Sequence, residues 1–418
     1  MFTAIAHDDG HLDITDPDLY TQGVPHQTFA RLRQETPISW TEEKEGRGFW
    51  SVTRYKDILE VSQNSKVFSS QQGIRLEDMS QEETQARKTM MEMDPPEHTN
   101  YRRLVNPPLS RASVQSYSEL LRAMAQEVIA KSKGLERFDF VTNIARQVPM
   151  RMLGKLLGTP DEDGFWLVEQ GDALLANSDP EYTKFPVDLV DTDAYRLMPF
   201  RSPAGIKLFD YAAKQAAERL ANPKDDLITR LLEPMRDGSQ LSEQEFKNFF
   251  TLLVAAGNDT TRYTMTAGLD ALMHHPEQLA ELSEKPELID SAVEEMLRWG
   301  TVTMHFRRTA AQDYHLAGTD IKAGDKVLIW YISGDFDDGE FADPYRFDIK
   351  RSPNRHMAFG LKSPHKCLGE HLARLEIKIV MQELLPQLAD IRHDGAVERL
   401  RSNFISGIKH LPVRVQWA

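Results

Sequence analysis

The stretch HMAFGLKSPHKCLGEHLAR, residues 356–374, contains Cys367, the only cysteine in a chain of 418 residues. Glycine and proline interrupt its first half. After the cysteine, apolar residues recur with the spacing of an amphipathic helix, which predicts a helix over residues 367–387. Backbone amides and the positive end of the helix dipole are expected to lower the pKa of a thiol at this position. Because a lone cysteine is most often a small buried hydrophobe, its surroundings must decide whether it is reactive.

Three reactive roles for this thiol make different demands on its neighbours. A nucleophile needs a base beside it, and His365, two residues earlier in a loop, is poorly placed to face the same substrate. Zinc needs about four ligands, and the nearby histidines, His356, His365 and His371, show no recognised ligand spacing. An axial ligand to haem iron needs one thiolate alone. The sequence therefore favours haem ligation, with an inert cysteine as the alternative.

Composition narrows the class of protein. Hydrophobic residues make up 40% of the chain and charged residues 27%, which is typical of a globular protein in water. A single cysteine permits no internal disulfide, which predicts a reducing, cytoplasmic location. The net charge of -14 argues against a general nucleic-acid binder. The first 25 residues show neither a secretion-signal pattern nor an apolar run that could span a membrane.

Apolar periodicity predicts a mainly helical fold with small β-sheets. A strand is expected within residues 49–53, and further strand-like runs lie between residues 299 and 333. The predicted helices cover residues 112–133, 138–157, 205–221, 242–275, 286–299 and 367–387. No repeat, low-complexity tract or long linker divides the sequence, so residues 1–418 are expected to form a single domain.

The longest predicted helix has an unusual centre. Ser242 and Glu245 form a capping box and Pro276 marks the far end, so the helix would be roughly 50 Å long. Its middle, AAGNDTT at residues 255–261, places Gly257 and four polar residues where a helix that crosses the core should be apolar. The segment predicts a satisfied polar network or a functional site inside the protein, or else a turn of the helix that faces the surface.

Together these motifs resemble those of the cytochrome P-450 superfamily over nearly the whole chain. AFGLKSPHKCLG, residues 358–369, is similar to the family's cysteine loop, and AAGNDTT is similar to its central-helix motif. EEMLRW, residues 294–299, supplies the family's ExxR pair as Glu295 and Arg298. The same spacing occurs three more times, where surface pairs explain it: Glu119/Arg122, Glu233/Arg236 and Glu398/Arg401. Only the pair at 295 and 298 lies between the AAGNDTT motif and FADPYRFDIKRSPN, residues 341–354. That segment resembles the family's source of a third charged partner, Arg346 or Arg351.

The resemblance implies a long helix over a haem b group whose iron is held by Cys367. MDPPEHTNYRRL, residues 93–104, resembles the family's HxxxR segment, and FRRTA, residues 306–310, adds a further arginine. The implied partners of the haem propionates are His98, Arg102, Arg308 and His365. Asp259 and Thr260 resemble the acid and alcohol that deliver protons during oxygen activation, and Gly257 would leave room for oxygen and water.

The resemblance also implies a monooxygenase that receives electrons from separate proteins. Haem peroxygenases of this fold usually lack the acid and alcohol pair, and the sequence shows no fused flavin or iron–sulfur domain. A ferredoxin and a ferredoxin reductase are therefore expected, with NAD(P)H acting only through them. Docking of an acidic ferredoxin implies a basic face, for which the candidates are Lys362, Lys366, Arg102, Arg103 and Arg111. An alternative of another class is a haem-binding sensor or carrier without turnover.

Two differences from the family's usual cysteine loop indicate which branch of the family this chain resembles. Four residues separate Gly360 from His365 instead of three, and Ser363 occupies a position where glycine usually permits a turn with positive φ. The longer loop resembles that of bacterial steroid side-chain hydroxylases, as do DPDLY at 16–20, SDPEY at 178–182 and RSNFISGIKHLPV at 401–413. This implies a bulky apolar substrate, a sterol side chain or a methyl-branched lipid, with a terpene as the rival. The expected pocket residues are Met90, Met93, Val254, Gly257, Val302, Thr303 and Met304.

Overall fold

The computed structural model describes residues 13–43 and 46–418. The part of the N-terminal stretch that ends at residue 12 lies outside the described residues. The helices are α1 (His26–Glu35), α2 (Tyr55–Gln63), α3 (Gln81–Arg87), α4 (Glu97–Leu109), α5 (Arg111–Ser116), α6 (Ser118–Ser132), α7 (Gln147–Leu157), α8 (Gly164–Leu175), α9 (Ala204–Ala221), α10 (Leu227–Leu232), α11 (Glu243–His274), α12 (Pro276–Glu284), α13 (Ile289–Gly300), α14 (Tyr331–Gly334) and α15 (Glu370–Leu384). No helix in these two ranges is long and apolar enough to cross a bilayer.

The strands are short and form small sheets at the edge of the helices. They are β1 (Ile38–Thr41), β2 (Phe49–Val52), β3 (Phe68–Ser69), β4 (Arg137–Asp139), β5 (His305–Ala310), β6 (Tyr314–Leu316), β7 (Thr319–Ile321), β8 (Lys326–Trp330), β9 (Leu388–His393), β10 (Glu398–Arg399), β11 (Ile408–His410) and β12 (Pro412–Trp417). The largest sheet has the order β1-β2-β8-β5-β3, and β8, which is buried along its whole length, pairs in parallel with β2. The predicted fold class, mainly helical with small sheets, is confirmed.

Helix α11 crosses the core as its sequence predicts. The Ser242 hydroxyl accepts from the backbone N–H of Glu245, and the Glu245 carboxylate accepts from the N–H of Ser242, which completes the capping box. The helix ends at His274, two residues before Pro276. Along its 32 residues it packs against α7, α8, α9 and α13, so its polar centre is enclosed by other helices. The polar segment is therefore not a turn that faces the surface.

Other predicted helices are interrupted where periodicity alone gives no signal. The segment 112–133 divides at Tyr117 into α5 and α6, and the segment 138–157 contains a π-helical turn, Val141–Ala145, before α7. The helix predicted from residue 367 begins at Glu370, because the N–H of Cys367 donates to the carbonyl of Phe359 at 2.9 Å. The single-domain assignment of residues 1–418 stays a prediction.

Three segments that resemble those of the steroid hydroxylases meet around one arginine. The guanidinium of Arg401 donates to the carboxylate of Asp18 at 2.5 Å and to that of Asp188 at 2.6 Å. The backbone N–H of Arg401 donates to the Asp179 carboxylate at 3.0 Å. Arg401 therefore joins the N-terminal segment, the C-terminal loop and residues 176–203, which connect α8 to α9.

Candidate active site

A cavity of about 330 Å³ separates the cysteine loop from the centre of α11. Its wall is mostly apolar and includes many of the residues predicted from sequence: Met90, Arg102, Gly257, Thr260, Val302, Thr303, His365 and Cys367. Such a volume lies within the range of small-molecule sites in proteins. The structure thus brings the cysteine loop, the central-helix motif and most of the predicted pocket to one space.

Three predicted pocket residues do not line the cavity. Val254 faces α8, where a Cβ on Gly171 would lie 3.6 Å from a Val254 methyl carbon. Met93 belongs to a buried apolar cluster, and Met304 belongs to another beside β8. Gly257 lines the cavity, but the position of a Cβ there would be 2.8 Å from Leu153 on α7. The missing side chain therefore also permits the close approach of α7 and α11.

The cysteine loop turns in an unexpected way around Ser363. The left-handed conformations belong to Gly360, with φ of 72°, and to Lys362, with φ of 56°, so the predicted distortion lies one residue before Ser363. The hydroxyl of Ser363 accepts from the N–H of His365 at 3.1 Å. The extra residue is therefore accommodated at Lys362, while the serine stabilises the turn into His365.

The Cys367 thiol is open to the cavity yet lies deep within the protein. Burial raises the pKa of this thiol, and the N–H of Gly369, together with Arg102 and Arg374, lowers it by less. The expectation of a lowered thiol pKa is therefore wrong, because removal from water outweighs the donors at the helix start. A bound metal cation would oppose this effect, because a cation deprotonates a thiol that coordinates it.

A cluster of two histidines and two arginines lies next to the thiol at one edge of the cavity. The rings of His98 and His365 lie 4.1 Å apart, and burial lowers the pKa of His98 to about 4 and that of His365 to about 2. Both imidazoles are therefore neutral near pH 7, and their charged neighbours are Arg102 and Arg308. Neither arginine forms an ion pair with a carboxylate in the described part of the chain; each donates to a backbone carbonyl, of Lys366 and of Arg307, at 2.7 Å.

This donor set fits a haem. His98 Nε2 and His365 Nδ1 are buried without a hydrogen-bond partner among the described residues, so two nitrogens and two guanidinium groups remain for the propionates. A thiol on the wall of the same cavity matches the need for one axial ligand. The fold and the site thus define a haem-thiolate protein.

Thr260 and Asp259 point to different sides of α11. Thr260 lines the cavity, and its hydroxyl donates to the carbonyl of Ala256 at 3.1 Å. Asp259 is buried away from the cavity, where Oδ1 lies 3.1 Å from the guanidinium of Arg262 and accepts from Asn258 at 2.9 Å. The structure therefore does not bring the two side chains into contact, because successive residues of a helix project about 100° apart.

A second carboxylate shares the arginine that Asp259 contacts. Arg262 donates to Asp172 of α8 at 2.7 Å, and both acids and the arginine are buried. Burial, together with the neighbouring Asp172, raises the pKa of Asp259 well above its usual range. The buried group therefore favours holding one proton on Asp259, whose Oδ2 has no partner among the described residues.

The ExxR pair forms the centre of a buried network. Glu295 and Arg298 are fully buried, and Arg298 donates to the two carboxylate oxygens of Glu295 at 2.8 and 2.7 Å. The third cation is Arg351, whose Nε lies 3.1 Å from Glu295. The assignment of Arg346 is wrong, because its side chain is exposed and forms no ion pair with a described residue, and only its carbonyl accepts from the other two arginines.

The three other ExxR matches form no ion pair between their own Glu and Arg in the described chain. Arg122 pairs with Glu383, and Arg401 pairs with Asp18 and Asp188. The ExxR spacing has no structural role at these three positions, and the surface ion pairs that the sequence predicts there do not form.

Sequence reasoning also missed Asp172 and Arg262. The i, i+3 spacing of Asp259 and Arg262 is the one local signal that could have indicated them.

Comparison with known proteins agrees with this class. Residues 17–389 match the family model for Cytochrome P450. The chain is 35% identical over 415 residues to the steroid C26-monooxygenase of Mycobacterium tuberculosis, covering 96% of this chain and 92% of that protein. It is 35% identical over 395 residues to the methyl-branched lipid omega-hydroxylase of the same organism, with 92% and 90% covered. A Mycobacterium marinum cytochrome P450 solved with pseudoionone is 36% identical, with a TM-score of 0.85 over 93% of this chain and 94% of that one.

The chain therefore belongs to the cytochrome P450 family, and it is a monooxygenase of that family. The family implies haem as the cofactor, in agreement with the donor set around Cys367. The resemblance to steroid and branched-lipid hydroxylases that the cysteine loop indicated is confirmed, and the alternative of a sensor or carrier without turnover is wrong.

Proposed function

We propose that this monooxygenase hydroxylates a bulky apolar molecule, with a sterol side chain or a methyl-branched lipid as the substrate class. The observation that carries the proposal is the mostly apolar cavity whose wall includes both Cys367 and Thr260. The names of two relatives, a steroid C26-monooxygenase and a methyl-branched lipid omega-hydroxylase, support this class. The relative solved with pseudoionone supports a terpene-like molecule as the competing substrate.

In this proposal the cysteine side of the cavity holds the cofactor and the α11 side handles protons. When bound, the haem supplies the iron chemistry that activates dioxygen. Cys367 would bind the haem iron, and Arg102, Arg308, His98 and His365 would hold the propionates. The apolar wall keeps bulk water away from the reacting carbon.

Asp259 and Thr260 divide the handling of protons between them. Asp259, whose raised pKa favours the protonated form, stores a proton beside Arg262. Thr260 presents a hydroxyl at the cavity wall and passes the proton on. Because Asp259 faces away from the cavity, its side chain must rotate or water must enter to complete the path.

Replacing Thr260 with alanine is expected to uncouple electron use from product formation. Without the hydroxyl at the cavity wall, proton delivery is misdirected, and product per NADH consumed should fall by roughly tenfold or more while hydrogen peroxide rises. The matched control is Thr264→Ala, one turn further on the same cavity wall, where the lost hydroxyl donates to the carbonyl of Thr260. Equal coupling in Thr260→Ala and wild type would contradict the role of this hydroxyl.

We propose further that a ferredoxin, reduced by a separate reductase and NAD(P)H in the cytoplasm, docks beside the cysteine loop. Of the predicted basic face, Lys362, Arg103 and Arg111 are exposed and form no ion pair with another described residue. Arg102 instead lines the cavity, and Lys366 pairs with Glu370. Reduction by an acidic ferredoxin is therefore expected to slow as potassium chloride rises, which stopped-flow absorbance measures. A rate independent of salt would exclude electrostatic docking.

The substrate class is tested by titrating the haem-loaded protein with sterols, methyl-branched lipids and terpenes. A substrate that displaces water near the iron should shift the Soret band to the blue, and mass spectrometry of the reconstituted reaction should then show one added oxygen atom. Binding and turnover of small terpenes alone would overturn the assignment to sterols and branched lipids.

A further inference from the structure

Arg75 is a cation on the cavity wall that no motif indicates. It lies between β3 and α3, and its guanidinium carbon lies 5.0 Å from the ring centre of Phe200 and 4.9 Å from that of Phe404. It donates to the amide oxygen of Asn177 at 3.2 Å. Phe200 and Asn177 belong to the connection between α8 and α9, and Phe404 belongs to the C-terminal loop. Two segments distant in sequence from Arg75 thus enclose this guanidinium at the cavity.

No carboxylate in the described chain lies within ion-pair distance of Arg75. The nearby Glu77 is paired with Arg87 at 2.9 Å. The nearby Glu92 accepts from the backbone and hydroxyl of Thr89, and burial raises the pKa of Glu92. A guanidinium in a mostly apolar cavity without an anionic partner is costly unless a ligand supplies the anion.

Arg75 is distinct from the cations assigned to the haem. The charged neighbours of His365 are Arg308 and Arg102, whereas the charged groups that act on Arg75 are Glu77, Arg87 and Glu92. The aromatic rings around Arg75 also line the cavity, but they do not belong to the cysteine loop or to α4. The same cavity therefore has cationic side chains in two separate places, one beside the cysteine loop and one at Arg75.

We propose that Arg75 binds the carboxylate of the substrate, so that the substrate is an apolar carboxylic acid, a methyl-branched fatty acid. This inference rests on the proposed function. Charge-assisted hydrogen bonds hold the carboxylate, and Phe200 and Phe404 keep water from the pair. The apolar remainder of the substrate extends towards Cys367 and Thr260. Arg75 is thus a positioning residue that selects a carbon remote from the carboxylate for oxidation.

The test compares acids with their uncharged esters on the haem-loaded protein. Isopalmitic acid and cholanic acid, each beside its methyl ester, are titrated into wild type and Arg75→Gln by calorimetry and by the Soret shift. In wild type isopalmitic acid should bind about tenfold to a hundredfold more tightly than its methyl ester, and Arg75→Gln should remove this difference. Arg75→Lys should restore part of it. Arg31→Gln, which removes an exposed arginine with no ion pair in the described chain, is the matched control.

The outcomes separate this inference from the proposed function. A preference for cholanic acid over isopalmitic acid would overturn the assignment to a branched fatty acid, because the carboxyl group of cholanic acid ends the steroid side chain. If acids and esters bind equally in wild type, or if Arg75→Gln keeps the preference, Arg75 does not bind the carboxylate although the enzyme is a sterol or lipid hydroxylase. If neither the acids nor the esters bind and only terpenes do, the proposed function itself fails. Thermal melting of each variant shows whether a lost preference reflects lost folding.

Discussion

Replacement of Cys367 by alanine is expected to abolish the strongly red-shifted Soret band that carbon monoxide produces with the dithionite-reduced haem protein. That band requires a thiolate opposite the carbon monoxide, and the chain contains no second cysteine that could replace the ligand. Monooxygenase turnover should fall by about three orders of magnitude, because the thiolate supplies the electron density that favours O–O cleavage. Absorbance spectra and product formation measure the two effects.

The matched control for this variant is Ser363→Gly in the same loop. It restores the residue usual in the family and removes one hydrogen bond, to the N–H of His365, so the red-shifted band should persist. Circular dichroism should show both variants folded, because Cys367→Ala removes one contact, with the N–H of Gly369, and Ser363→Gly removes one hydrogen bond. A red-shifted band that survives in Cys367→Ala would exclude this cysteine as the ligand.

Replacement of Glu295 by glutamine is expected to destabilise the protein by about 3–5 kcal/mol, because it leaves the buried guanidinium of Arg298 without its anion. Glu295 also accepts from Arg351, from Asn354 at 3.1 Å and from the N–H of Asp348 at 3.0 Å, so one change weakens several contacts between α13 and residues 348–354. Urea unfolding measures the loss, and the fraction of protein that retains haem should fall with it.

Glu119→Gln provides the control, because it alters an ExxR match whose glutamate is exposed and pairs with no described residue. Its effect should stay within about 0.5 kcal/mol. If Glu295→Gln does not fold, Asn354→Ala, which removes one hydrogen bond to the same carboxylate, should still cost about 1 kcal/mol. Equal stability of Glu295→Gln and Glu119→Gln would show that the network contributes nothing.

Motifs with local geometry could be predicted from the sequence, and contacts made over long distances could not. The capping box of α11 and the spacing of Glu295 and Arg298 depend on neighbouring residues, so their positions are correct. Arg351 replaces Arg346 because the turn after Asp348 directs the side chain, which no spacing rule records. The thiol pKa was mispredicted because burial, a property of the whole fold, outweighs the local helix start.

The functional site likewise contains features that the sequence could predict and features that depend on long-range contacts. Asp259 and Thr260 are adjacent in sequence, but which of them faces the cavity depends on how α11 is rotated against α7 and α8. Arg75 meets residues more than a hundred positions away, at Asn177, Phe200 and Phe404, so no local pattern could identify it. Sequence resemblance thus located the chemistry of the cofactor, and the structure was needed for the side chains that face the substrate.

Because Asp172 and Asp259 share Arg262, the protonation of Asp259 depends on the separation of α8 and α11. Asp172 belongs to α8, and Asp259 and Arg262 belong to α11. If α8 moves away from α11, Asp259 loses a neighbouring negative charge and keeps the guanidinium alone, so its pKa falls and its proton is released. Such a displacement would release a proton, which a pH indicator in weak buffer would register, and the reverse displacement would take the proton up again.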